Sequence, residues 1–372
     1  MQGNLYLSDL RINRIVRKLS EELELAKGLT YLNRVPTADV FDNRDILATY
    51  SAQIYAADII MNDAEARVVK SGNIVTESKA NVIPNIKIGK ALTQTQLEQL
   101  TYLEKGLAGA QNGDLKKQIT QQELLMAREV VQGVRETQNL LCAGMFLDGV
   151  TYSRNGVQIA PGFGTPSNLK ATNVGTATWT SGHLATMDAI TDIQQLALTA
   201  RIEYGKTYDR VDMATTMFQL IIQSDAFKNQ IRTFRGLEST DSVDISIYNI
   251  SQAQTLFEAI SGFKLVLEDK NIVVENNDGT PSSNRVLPEN KVILSYSGDD
   301  GNDTVYDLAM GIPEELTVGR LTGVGANLET VQSGIASYYE GALNPPRITA
   351  WAVVKCFPRK RDIYSTAILT VY

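Results

Sequence analysis

A chain of 372 residues with 43% apolar content can build a sizeable core but is too long for a single one, so about two domains are expected and wholesale disorder is excluded. The net charge of −7, with a pI near 5.0, argues against a broad basic face that grips nucleic acid. One histidine and two cysteines are too few of the usual ligands for a zinc site.

Taken in chain order, residues 1 to about 50 mix short helical spacing (Ile12, Ile15, Val16, Leu19) with extended stretches, and the pattern breaks at Val35 and Pro36. This reads as an arm that lies on something else. The start, MQGNLYLSDLRINRIVRKLSEELEL, is interrupted by charge and has no signal-peptide core. No apolar run approaches the roughly 18 residues of a membrane span. From Ala66 to Leu92 the text becomes ARVVKSGNIVTESKANVIPNIKIGKAL. Val82, Ile86 and Ile88 share a face of an extended segment, SGN and ESKAN mark turns, and Pro84 removes a ladder donor, so an edge or protruding hairpin is expected.

The strongest helix is predicted over about Leu115 to Met145, where Ile119, Met126, Val130, Val134 and Leu141 form one stripe. Asn112 or Asp114 is a candidate start, and Gly144 or Gly149 a candidate end. After the turn-rich APGFGTPSNLK, residues Ile190, Ile193, Leu196 and Leu198 predict a second helix that ends near Gly205, and MFQLIIQSDAFKNQIRTF predicts one short helix more. AISGFKLVLEDKNIVVENNDGTPSSNRVLPENKVILSYSG reads as strand, polar turn, strand. The stretch from about 185 to 340 therefore looks like a mixed domain of its own. The last residues, ITAWAVVKCFPRKRDIYSTAILTVY, read as two strands about a basic turn. A two-stranded hairpin is marginal alone, so it needs partners elsewhere.

Nothing in the text reads as an active site. His183 is a lone histidine between Gly182 and Leu184, and no G-x-S-x-G elbow accompanies it. GRLTGVGAN lacks the third glycine of a dinucleotide loop. SGDDGNDT does not fit the twelve-residue calcium loop. Cys142 and Cys356 read as buried free thiols. Arg359, Lys360 and Arg361 read as charges in a hairpin turn that keep an edge soluble or meet a neighbour's carboxylates. No enzyme activity and no cofactor are expected.

The order of parts resembles the major capsid proteins of tailed bacteriophages, with the fold named after phage Hong Kong 97, and within them the lambda-type major head protein (capsid protein E family). The segments that carry the resemblance are IPNIKIGKALTQTQL, the long helix, Trp179 ahead of the second helix, YGKTYDRVDMATTMFQLIIQSDAFKNQI, FKLVLEDKNIVVENNDGTPSSNRVLPENKVILSYSG and NPPRITAWAVV. The resemblance covers roughly residues 50 to 372. It implies an α+β chain with an N-terminal arm (1–50), an extended β-hairpin loop (51–100), a peripheral domain with the spine helix (101–184), an axial domain (185–343) and C-terminal strands that return to the peripheral domain (344–372).

The implied function is a shell subunit that self-assembles as hexamers and pentamers around double-stranded DNA in a virion, assembled in the host cytoplasm. The partners implied are other copies of the chain, a separate scaffold protein, a portal and a cementing or decoration protein, with no membrane and no sequence-specific DNA contact. Candidate inter-subunit contacts are Lys70, Lys79, Ile86, Ile88, Arg359, Lys360 and Arg361, with the basic turn Pro358–Arg361 projecting from a tip. Some relatives of this kind crosslink a hairpin lysine to an asparagine. Lys70 or Lys79 and Asn344 fall in comparable regions, but their motifs do not match closely enough to carry that chemistry over. The alternatives are a tail tube or sheath protein, and a soluble enzyme of mixed fold.

Overall fold

The structure, a computed structural model, describes residues 28–39, 44–49, 77–91, 113–149, 152–154, 157–159, 162–172, 177–237, 249–275, 280–296, 305–313, 329–331, 334–343 and 346–372. In chain order the regular elements are β1 (Thr37–Asp39), β2 (Arg44–Thr49), β3 (Glu77–Val82), β4 (Asn85–Ala91), α1 (Gly113–Phe146), β5 (Tyr152–Arg154), β6 (Val157–Ile159), β7 (Lys170–Thr172) and α2 (Ala189–Tyr204). There follow β8 (Arg210–Met213), α3 (Thr215–Gln223), α4 (Asp225–Arg235), α5 (Ile250–Ser261), β9 (Lys264–Leu267), β10 (Asn271–Glu275), β11 (Pro281–Arg285) and β12 (Lys291–Ser295). The last are β13 (Tyr306–Gly311), β14 (Glu329–Val331), β15 (Ile335–Leu343), β16 (Pro346–Lys360) and β17 (Thr366–Thr370). The class is α+β. Two compact units result: Met1–Asp45, Ala80–Cys142 and Asp307–Pro358 form one, and Ile46–Lys79, Ala143–Tyr306 and Arg359–Tyr372 the other. Among the described residues no helix is long and apolar enough to cross a membrane.

The first unit is built on a sheet of order β1-β13-β16-β15-β14, with β4 also paired to β16. β16 is the organising strand. Its residues Pro346 to Val353 pair with β15 on one side, and Thr349 to Lys355 pair with β4 on the other. α1 has 34 residues, about 50 Å at 1.5 Å per residue. Its stripe buries Val130, Val134 and Leu141, with Val131 beside them. Gly133 on α1 lies against Ile88 of β4, so close that a Cβ there would come within 3.0 Å of Ile88 Cδ1. One turn further on, Gln138 Nε2 donates to Cys356 Sγ at 3.4 Å. Asn139 then takes the amide N–H groups of both Tyr31 and Leu32 on one side-chain oxygen, each at 3.0 Å. That bond fastens the segment around the buried Leu29, Tyr31 and Val35.

The second unit centres on the sheet β7-β17-β12-β8-β9. β12 runs antiparallel to both β17 and β8, while β9 is parallel to β8 and β7 parallel to β17. Its core joins Trp179, Ile193 and Leu196 to Phe218, Phe227 and Phe257 and to the strand residues Val211, Leu265, Leu294 and Leu369. Trp179 is held at both ends. Its backbone N–H donates to Val371 O at 3.1 Å, and Nε1 donates to the buried Asp192 carboxylate at 2.9 Å.

The structure departs from the sequence expectations at several points. ESKAN is not a turn but most of β3, which pairs with β2; backbone pairing overrides the weak strand preference of its polar residues. The expected single helix over 217–234 is two, because Ser224 adopts an extended backbone and caps α4 through Oγ. α5 was not foreseen, although Asn249 and Gln252 form a reciprocal capping box at its start. The last two strands are not one hairpin: β16 joins the first sheet and β17 pairs with β12 and β7. Within the first sheet β13 and β15 flank β16. GRLTGVGAN, SGDDGNDT and the start of the arm before residue 28 lie outside the described residues.

Candidate assembly surface

Of the residues expected at inter-subunit contacts, Ile86, Ile88, Arg359, Lys360 and Arg361 are described with their side chains. Lys70 and Asn344 lie outside the described residues, and Lys79 lies in β3, where only the backbone is described. Ile86 and Ile88 stand on β4 opposite Val354 and Ala352 of β16. Ile86 is half-buried, and Ile88 keeps 41% of its surface exposed while its end packs on Gly133. The basic triplet does not project as a unit. Arg361 is exposed and Arg359 part-buried, but Lys360 has no exposure, because β16 continues through it rather than turning. Lys360 is therefore removed from the set of surface contacts.

Beside Ile88 the first unit shows a half-exposed aromatic patch. Trp351 lies between Gly89 and Tyr338 in one cross-strand row, with its ring 6.5 Å from that of Tyr338. Lys87 Nζ sits 4.7 Å from the Trp351 ring centre and 5.5 Å from that of Tyr338, within cation–π range. Gly89 has no side chain for a reason: a Cβ would meet the Trp351 ring at 2.4 Å. Lys90 pairs with Glu129 of α1.

Burial pushes the Cys356 thiol up to about 12, against a hydrogen bond from Gln138 that lowers it, and burial together with Cys356 raises Cys142 well above its ordinary value. Neither thiol is a nucleophile in this state. Among the described residues no group of three or more histidine, cysteine or acidic side chains is placed to hold a metal.

No protein-family model matches the sequence, and no curated protein matches it. Solved structures do match, along nearly the whole chain. A protein described as a prophage capsid protein from Escherichia coli CFT073 aligns with a TM-score of 0.55 and 13% identity over 96% of this chain and 99% of its own. A phage-related protein of Bordetella bronchiseptica RB50 aligns with a TM-score of 0.54 and 11% identity over 95% and 96%. The chain has the fold of phage capsid proteins.

Within this capsid fold, the sequence reading missed the apolar side chains that the second unit leaves in solvent. Leu198 and Ile202 of α2 are 52% and 72% exposed, and Phe234, Leu237, Ile250 and Val273 are exposed as well. The signal was present in the α2 text. Ile190, Ile193, Leu196 and Ala200 mark the buried stripe, whereas Leu198 and Ile202, four apart, fall on the opposite face of a 3.6-residue period.

Proposed function

We propose that this chain is the major head protein of a tailed bacteriophage, with the Hong Kong 97-type arrangement of arm, extended hairpin, peripheral unit and axial unit. It builds hexamers and pentamers that close an icosahedral shell around double-stranded DNA, and it is not an enzyme. The observation that carries this reading is the capsid-type fold shared over 96% of the chain and 99% of the prophage protein. Two features support it. The acidic chain suits an inner wall that should not bind DNA by counterion release. Exposed apolar residues on the second unit suit repeated self-contacts, many weak copies of which close a shell by symmetry. The proposed partners are further copies, a separate scaffold protein, a portal and a decoration protein, and the place of action is the virion, assembled in the host cytoplasm.

The test is to express the full chain, alone and with a scaffold protein, and to image the product by negative stain. Closed spherical particles are expected, uniform in size only when the scaffold is present. Rods, or a monomer or dimer under every condition, would overturn the reading.

A further inference from the structure

Lys360 closes β16 and is among the largest side chains with no solvent exposure. Lysine is almost never fully buried unless its charge is paired. Here the direct partners of Nζ are two neutral hydroxyls: Thr165 Oγ1 at 2.7 Å, and Thr366 Oγ1 on the first residue of β17. An uncharged amine has two N–H groups to give, and two hydroxyl acceptors satisfy them. An ammonium has three and a charge that calls for a carboxylate.

The carboxylates within electrostatic reach are Asp148 and Asp362, and both are engaged. Asp148 Oδ1 accepts the Thr165 amide N–H at 2.9 Å, and its Oδ2 pairs with Lys170 Nζ at 2.6 Å. Asp362 Oδ1 accepts the Tyr364 amide N–H at 2.9 Å, and its Oδ2 pairs with Lys206 Nζ at 2.5 Å. Lys170 repels a charge on Lys360. Arg359 and Arg361 flank it in the chain. Tyr208, near Asp362, gives its hydroxyl to Tyr364 O at 3.0 Å, and burial pushes its ionisation up, so it stays neutral.

We propose that Lys360 is a proton-operated latch: uncharged, it ties the Thr165 loop to the first residue of β17, and on taking a proton it lets that end of the strand open. Burial lowers the amine to about 7, against the pull of Asp148 and Asp362, whereas a lysine in water titrates near 10.4. The closed form thus loses its proton near pH 7, and the opened form keeps its own up to about pH 10. Between those limits opening takes up one proton, so the closed form gains about tenfold for each pH unit of rise. Below about pH 7 both forms are protonated and the dependence ends. The latch belongs to the second unit alone and does not rest on the shell reading.

The experiment is amide hydrogen exchange on the full chain from pH 7 to pH 9.5, corrected for intrinsic exchange rate and read at residues 366–370. Protection is expected to rise about tenfold per pH unit in the wild type and to stay flat in Lys360→Met. A flat wild-type profile, or an unchanged slope in Lys360→Met, overturns the latch. Should Lys360→Met fail to fold, lysine ¹³Cε titration of the wild-type chain decides: a midpoint near 7 supports the latch, and midpoints all above 9 overturn it.

Discussion

Asp148 follows α1 with a φ of +57°, the left-handed region that a glycine would normally fill. An L-residue gives up roughly 1–2 kcal/mol there, although aspartate tolerates it better than most. Its carboxylate explains the choice, since it fixes both the Thr165 amide and Lys170. Burial raises this carboxyl, but the Lys170 and Thr165 hydrogen bonds, with the charges of Lys360 and Lys170, outweigh burial and hold it below the usual range. A depressed carboxyl contributes stability that is present above the unfolded value near 3.9 and is lost as pH falls through the folded one. Asp148→Asn is therefore expected to cost about 1–3 kcal/mol at pH 7 and to flatten the acid limb of the stability profile below about pH 4, as read by urea unfolding across pH. An unchanged acid limb would count against this account. At this scale the sequence misled at Lys360. Set in PRKR between two apolar runs, it has the local look of a solvated turn, and only the distant residues around it reveal a buried strand end.

Ser224 serves two helices at once. Its Oγ donates to Ile221 O at 2.7 Å at the end of α3 and accepts from Phe227 N at 3.3 Å at the start of α4. Ser224→Ala should cost about 1 kcal/mol, the usual loss of a helix cap, and thermal unfolding of the full chain measures it. Gly89→Ala should push the Trp351 ring off the sheet and break its contact with Lys87. A red-shifted emission from Trp351 is expected, with Trp179 buried and unchanged as the internal reference; Trp179→Phe separates the two signals. Element-scale features were the most legible. α1 runs over 113–146 where its stripe predicted 115–145, because a long amphipathic period is a local property. Leu198 was misassigned by the same kind of reading, since one apolar residue on a short helix does not say which face it belongs to until Ile202 is counted with it.

Strand partnership was the least legible property of the whole molecule. β4 meets β16, and β7 meets β17, across separations that leave no mark in local text. The sequence did indicate that the closing strands need remote partners; it could not indicate that each enters a different sheet. For the proposed shell, replacing Leu198 with Lys and Ile202 with Glu should leave unfolding within about 0.5 kcal/mol of wild type, as exposed substitutions usually do, while reducing the yield of particles in velocity sedimentation. Full yield would remove this face from the contact set.

The position of β16 and β17 also governs synthesis. Each is an interior strand of its sheet, flanked by partners translated earlier, so neither unit can be completed until residues 346–370 have left the ribosome. Domains usually mature one after another during translation; these two instead wait for the same late segment. A chain stalled before that point would leave both sheets unfinished, with open strand edges.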